Sequence, residues 1–402
     1  MRGGLRLGSL FGIPLYINYT WFFIVGLLTL SYATNLTQDN SEWTALAAAE
    51  IGLATSLGLF GSVLVHELAH SLVAKSLGIS VKSITLFIFG GMATIEKEAD
   101  KPWSAFKIAI AGPVLSFGLF ALLRGVQLTH WFPEESAIGL WLSSVAWANL
   151  IIATFNLIPG LPLDGGQILK ALIWAKTGSR QSGLKWAARS GQVLGWGAIA
   201  WGLWLTFLYG IFTGIWIGLI GLFILNSARR YSQYLQLVQV LSSLTAKDVM
   251  GRKFRVVDAD MSLREFADRY LLLAEEREVY FADRDGRYQG LVEQDRMRAI
   301  ERSLWDSQTL MAIVTPMDQL DGVGEESAIP KAIEILKQEQ VQWIPVLSPT
   351  GAISGTIDKG DVVKSLGERL GIRIPPELLQ KVRDTNEFPA GFPIDLDPEL
   401  AE

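Results

Sequence analysis

A chain of 402 residues that is half hydrophobic and carries 14 Trp is too apolar for an ordinary soluble enzyme. The absence of Cys excludes disulfides and thiolate metal sites, so any metal must be held by carboxylates and the three histidines, His66, His70 and His130. With 35 basic against 40 acidic residues and a formal charge of −5, no basic footprint interleaved with aromatics exists, which excludes nucleic acid as a partner.

Apolar windows of about 20 residues span a bilayer. Six occur ahead of a composition break at Arg229 and Arg230: 14–31, 46–75, 104–124, 138–157, 191–209 and 211–227. The first is followed by Thr and Asn rather than a small-residue cleavage site and is expected to stay as a helix. The second contains VLVHELAHSL, Val63–Leu72. On a helix, residues at i and i+4 share a face, so His66 and His70 stand together with Glu67 beside them, within reach of a water held by a metal. This is the H-E-x-x-H zinc arrangement. The competing reading, hydrogen bonds to neighbouring helices, must meet the cost of several kcal/mol for three ionisable groups in a spanning helix.

Between spans two and three, Ile84, Leu86 and Ile88 alternate and Gly90-Gly91 suits a turn. Ser83–Thr94 therefore reads either as a hairpin whose edge captures an extended segment by strand addition or as an amphipathic connector. The fourth span runs into NLIPGLPLDGG, Asn156–Gly166, where Pro and Gly break the helix. Irregular backbone at membrane depth must be buried in protein or line a watery cavity. A catalytic zinc needs a third protein ligand and an open position. His130 lies in the loop on the opposite side, and Asp164, at the depth of the two histidines, is the best candidate. A plain Asp-Gly turn is the alternative. Spans five and six read as a hairpin with a tight turn at Tyr209–Gly214 and Gly210, Gly214 and Gly218 at helix-packing intervals.

Lys and Arg mark cytoplasmic loops. They flank span one at Arg2 and Arg6, lie between spans two and three and between four and five, and follow span six, whereas the opposite loops carry only Arg124. Both termini are thus expected in the cytoplasm.

HELAH in the second span and NLIPGLPLDGG further on, with LFIFGGMATIEKEA (Leu86–Ala99) and AGPVLSF (Ala111–Phe117) between them, resemble the site-2 protease family of intramembrane zinc metalloproteases. The resemblance implies one Zn2+ per chain held by His66, His70 and Asp164, with Glu67 as general base and acid. It implies a single-span membrane protein as substrate, cut within or near the lipid bilayer, and a multi-pass location in a bacterial-type plasma membrane. Asn156, similar in position to a family residue, is a candidate donor to the developing oxyanion or a cap on span four.

The charged part repeats itself: VYFADRDGRYQGLV (Val279–Val292) and WIPVLSPTGAISGTI (Trp343–Ile357) each read as strand, turn, strand at a common offset of 65, preceded by the helical stretches Ser262–Glu275 and Ala328–Gln338. The doubled unit resembles a pair of cystathionine-β-synthase (CBS) domains. The expected fold is a polytopic α-helical membrane domain of about six transmembrane helices followed by an α/β tandem CBS module. The divisions are 1–230 membrane domain, 231–244 linker, 245–303 and 308–368 CBS domains, and 369–402 a loosely ordered acidic tail. The CBS resemblance implies adenine nucleotide sensing, with Asp361 on the ribose. The carboxylates Glu293 and Asp358 just ahead of that position repel phosphate, and a homodimer through the CBS domains is the competing role. A CBS-gated transporter or channel, with HELAH as an ion-path cluster, is the alternative function; it predicts ionisable residues spread along a path, whereas here they gather on one side.

Overall fold

Two units make up the chain, Met1–Gln233 and Tyr234–Glu402. The computed structural model describes residues 4–39, 43–210, 213–272, 278–338, 341–389 and 392.

The first unit opens with a hairpin, β1 (Gly4–Leu10) and β2 (Ile13–Asn18). The Asn18 side chain accepts the Thr20 amide at 3.0 Å, as a helix-capping residue does, and α1 (Tyr19–Asp39) follows. The expected first span, 14–31, is therefore corrected. Ile13–Asn18 alternates buried and half-buried, the period of a strand, and the helix starts only at Tyr19. α2 (Ala45–Ser76) begins at Thr44, whose side chain accepts from the Ala47 amide, and keeps Lys75 in its last turn, where the helix dipole favours a cation. Its 32 residues make it about 48 Å long.

β3 (Val81–Phe87) and β4 (Gly90–Ile95) form the hairpin, turning at Ile88 and Phe89 rather than at Gly90-Gly91. The sheet has the order β1-β2-β3-β4, with β2 and β3 parallel and the other pairs antiparallel. Ile13, Leu15 and Ile84 pack with Leu64 and Leu68, so the sheet lies on the C-terminal half of α2, the half that bears the histidines.

The remaining helices are α3 (Pro102–Leu128), α4 (Ala137–Asn156), α5 (Asp164–Thr177), α6 (Arg180–Tyr209) and α7 (Thr213–Ser243). α2 packs against α1, α3 and α4, and α5 against α3 and α6. Among the described residues five helices, α1, α2, α3, α4 and α6, are long and apolar enough to cross a membrane, one fewer than expected. The sixth, expected over 211–227, falls on the start of α7, and its first two residues lie outside the described residues. α7 packs along α6: a Cβ on Gly202 would stand 2.4 Å from the Gly214 carbonyl oxygen, so only glycine permits this approach. Residues 211–212 of the expected turn lie outside the described residues.

The second unit contains two related halves. In the first, β5 (Phe254–Asp258) leads through the short helix α9 (Leu263–Phe266), which follows α8 (Ala246–Val249) in the chain, to β6 (Val279–Arg284) and β7 (Arg287–Val292), then α10 (Gln294–Met297) and β8 (Val314–Pro316). The sheet order is β5-β6-β7-β8. In the second half, β9 (Val323–Gly324), α11 (Ile329–Gln338), β10 (Trp343–Leu347) and β11 (Ile353–Asp358) precede α12 (Lys359–Leu370) and α13 (Pro376–Thr385). Here the order is β11-β10-β9. The helix expected over Ser262–Glu275 regularises only at its start, α9, with one wider turn to Leu271; 273–277 lie outside the described residues.

Packing joins segments across the expected divisions. Of the expected linker 231–244, all but Leu244 is helical within α7, and Leu241 and Leu244 are fully buried with Ile329, Ile333 and Val362. The segment opening the first repeat belongs to the core of the second: Ala246 and Val249 lie in that same cluster, the Ala246 amide bonds the Ser327 carbonyl at 2.8 Å, and Gly251 bridges Thr356. Reciprocally, β8, which precedes the second repeat's first strand, completes the sheet of the first half through Gly290 and Pro316. The acidic tail is not all loose, since α13 is helical and Phe388 and Phe392 pack against the second half's core. Residues 393–402 lie outside the described residues.

Candidate metal centre

The helical repeat of α2 sets the His66 and His70 rings one above the other, with centroids 4.9 Å apart. Both are buried. Their Nε2 atoms are 3.2 Å apart and converge on Asp164 Oδ2, at 3.0 Å from His66 and 3.2 Å from His70. Asp164 is the first residue of α5, at the positive end of that helix's dipole, so the chain break after α4 serves to start a helix with a carboxylate on its tip. Leu161, in the connecting loop, is fully buried and its amide bonds the Ala187 carbonyl at 3.2 Å, which anchors the irregular stretch to α6.

The far side of each imidazole is held by α3. His66 Nδ1 lies 3.0 Å from Ser116 Oγ, and His70 Nδ1 lies 2.6 Å from the Ile108 carbonyl. A carbonyl only accepts, so His70 carries its proton on Nδ1 and turns the Nε2 lone pair inward. Such outward hydrogen bonds orient metal-binding histidines. Lone pairs and a carboxylate oxygen crowded together in a buried site repel unless a cation joins them. A tetrahedral zinc with bonds of about 2.0–2.1 Å to its ligands separates neighbouring ligand atoms by about 3.3 Å. Nitrogen and carboxylate donors at the observed spacing fit zinc, and among the described residues this is the group of His and carboxylates able to hold a metal. The space is defined by backbone as well. A Cβ on Gly112 of α3 would stand 2.2 Å from His70 Nε2 and 2.6 Å from His66 Nε2.

Glu67 turns toward the sheet, where Oε2 accepts the Ala93 amide of β4 at 3.1 Å. Asn156, the last residue of α4, brings Nδ2 to 3.4 Å from His66 Nε2. The structure thus gathers His66, Glu67, His70, Asn156 and Asp164 in one place. His130, past the end of α3, is not part of the group.

Asp361 is already engaged. Arg383 of α13 donates to Asp361 Oδ1 at 2.8 Å and to Asp358 Oδ2 at 2.9 Å, while the amide of Asp358 bonds Asp361 Oδ2 at 3.2 Å. Burial, then the neighbouring Asp358 carboxylate, push the Asp361 carboxyl up to about 6.

Reading the sequence for ionisable residues misses Ser116, Gly112 and the carbonyl of Ile108, which shape the site without ligating anything. The available signal was AGPVLSF, a Gly-Pro pair and a Ser set into an apolar span. Ala93 carries no signal, because it acts through its backbone.

A family model described as Peptidase family M50 matches residues 54–140 and 134–197. A putative zinc metalloprotease, sll0528, of Synechocystis sp. is 38% identical over 373 residues, covering 91% of this chain and 96% of that one. The putative zinc metalloprotease Rip3 of Mycobacterium tuberculosis is 29% identical over 392 residues, 96% of this chain and 99% of its own. The solved site-2 protease from Methanocaldococcus jannaschii is 28% identical, with a TM-score of 0.41 over 57% of this chain and 95% of that chain.

Because Gly112 leaves the room in which the two Nε2 atoms meet, Gly112→Ala is expected to drop the metal content of purified protein from about one zinc per chain to a small fraction. Elemental analysis, with circular dichroism to show an intact fold, checks this; full zinc occupancy would mean the cluster does not bind metal where the side chains converge.

Proposed function

The chain belongs to peptidase family M50, the site-2 proteases, and on that premise we propose that His66, His70 and Asp164 hold its zinc and that Glu67 moves the proton in peptide-bond hydrolysis. The observation that carries the proposal is the convergence of two imidazole nitrogens and one carboxylate oxygen at 3.0–3.2 Å, with Glu67 adjacent. Bound there, zinc supplies Lewis acidity toward the scissile carbonyl and the attacking water. Glu67 takes the proton from the water and returns it to the leaving amine. The Ala93 amide keeps that carboxylate aimed, and Asn156 offers an N–H to the developing oxyanion.

The protein is an intramembrane zinc metalloprotease and a multi-pass membrane protein; its substrate is a membrane protein, for which we propose a single-span helix. A helical peptide bond is shielded by its own hydrogen bonds, so the substrate must be unwound and held extended. The amide that Ala93 directs at Glu67 points away from β3, along the outer edge of β4, so a strand laid on that edge runs past Glu67. The transporter reading gives way, because its ion-path cluster is the metal group of a protease family.

Lys75, Lys82, Lys97, Lys101, Lys170 and Lys176 against the lone Arg124 support cytoplasmic termini, in a plasma membrane such as the bacterial relatives possess. The interlocked halves of the second unit support the CBS pair as a module for regulation, with homodimerisation as its mode. Since Arg383 engages Asp361 Oδ1 and the Asp358 amide engages Oδ2, we assign that module no nucleotide ligand.

Glu67→Gln is expected to keep the zinc and the fold while cleavage of a membrane substrate falls by about 10²–10⁴-fold; normal turnover by that variant would remove Glu67 from the chemistry. The native chain has no Cys, so single cysteines report topology cleanly: in intact cells an impermeant maleimide should label Glu134→Cys and spare Thr177→Cys, and the opposite pattern inverts the orientation. Titration of ATP or AMP into the full-length protein should show no saturable micromolar binding by calorimetry, and such binding would overturn the reading of the module as free of nucleotide.

A further inference from the structure

Just beyond β4 the chain carries Glu98, whose carboxylate accepts from Lys170 Nζ on α5 and from Arg180 Nη2 at the start of α6. The two cations are each 4% exposed, whereas more than half of the Glu98 side chain reaches solvent. Buried charges are retained only when paired, and removing one partner leaves the other uncompensated. Here one carboxylate that arrives from a different element serves both buried cations. Although desolvation beside the two buried cations pushes the Glu98 carboxyl up, the Lys170 ammonium and then the Arg180 guanidinium hold it down at about 2, so Glu98 is ionised at neutral pH. The Arg180 guanidinium also stacks over Trp174 of α5, 5.6 Å from the ring centroid, which fixes the α5–α6 corner on which both cations stand.

Each end of this clasp leads to the catalytic group. On one side, five residues before Glu98, the Ala93 amide holds Glu67. On the other, Lys170 lies six residues along the rigid helix that begins with Asp164, about 9 Å away. We propose that Glu98 is a positioning residue for peptide hydrolysis: it locks the strand that aims Glu67 to the helix that presents Asp164, and so sets the distance between proton transfer and the metal group. The inference rests on the roles proposed above for Glu67 and Asp164. Glu98 touches neither the metal group nor Glu67; it acts through β4 and α5, and a displacement of about 1 Å between reacting groups is enough to cost a hundredfold in rate.

The test uses the full-length protein in lipid nanodiscs, a quenched-fluorescent single-span model peptide, and cobalt in place of zinc for spectroscopy. Glu98→Asp keeps the charge but shortens the reach, and Glu98→Gln keeps the length but removes the charge. Glu98→Asp should stay folded, hold one metal per chain, leave KM within about twofold and lower kcat by roughly ten- to a hundredfold. Its cobalt d–d bands should shift from those of the native protein, reporting a displaced Asp164. Glu98→Gln should do the same more strongly; if it does not fold, Glu98→Asp alone decides. Unchanged kcat and cobalt spectrum in folded Glu98→Asp would overturn the proposal, as would a loss of rate that merely follows loss of metal or of folded protein. Glu67→Gln in the same assay separates the two levels: if it is inactive while Glu98→Asp is normal, only the positioning role fails, and if it turns over normally, the underlying assignment fails.

Discussion

Two imidazole nitrogens and a carboxylate oxygen meet within 3.2 Å inside an apolar helical unit, and most of the first unit is arranged to make that meeting tolerable. In such surroundings, ionisable groups persist only if they are paired or bind a cation. α2 contributes the histidines from successive turns, α3 takes their outer nitrogens through Ser116 and Ile108, and a broken loop after α4 delivers Asp164 on the tip of α5. Each contribution comes from a different element, so the centre exists only when the bundle is assembled.

α2 also seats the sheet. The sheet packs on the histidine-bearing half of α2 through Ile13, Leu15 and Ile84, which places β4 where its backbone reaches Glu67. The Glu67 side chain and a strand edge are thereby brought together by ordinary apolar packing. Glu98, just past the end of that strand, is paired with Lys170 of α5 and Arg180 of α6, which joins the sheet to the helix that begins with Asp164.

In the second unit the two halves are related by repetition but not equivalent. Each borrows a segment from the stretch that precedes its neighbour, Gly251 onto β11 and β8 onto β7, which interlocks them and makes neither half a complete sheet alone. They differ at the start of the last helix. Asp358 and Asp361 of the second half are clasped by Arg383, whereas Glu293 of the first takes the Thr315 hydroxyl. The segment that carries Arg383 is seated further by Lys359, which bonds the Asn386 carbonyl at 2.8 Å and lies over the Phe388 ring.

The sequence by itself determined the long apolar helices, the shared face of His66 and His70, the candidacy of Asp164 and the repeat of the charged part. These follow from covalent spacing: a helix has 3.6 residues per turn and a strand alternates, whatever surrounds them. It misjudged the first span, because Ile13–Asn18 is as apolar as a membrane helix and only its pairing with β1 and β3 makes it a strand. It read 231–244 as a linker where α7 runs on to Ser243, and 369–402 as a loose tail within which α13 forms. Only the tertiary structure decided that Ser116 and Ile108 hold the imidazoles, that Gly112 leaves them room, that Ala93 aims Glu67 and that Arg383 occupies Asp361. Those pairings join residues far apart in the chain, and they depend on how helices are rotated and how strands are registered against one another, quantities that no local pattern encodes.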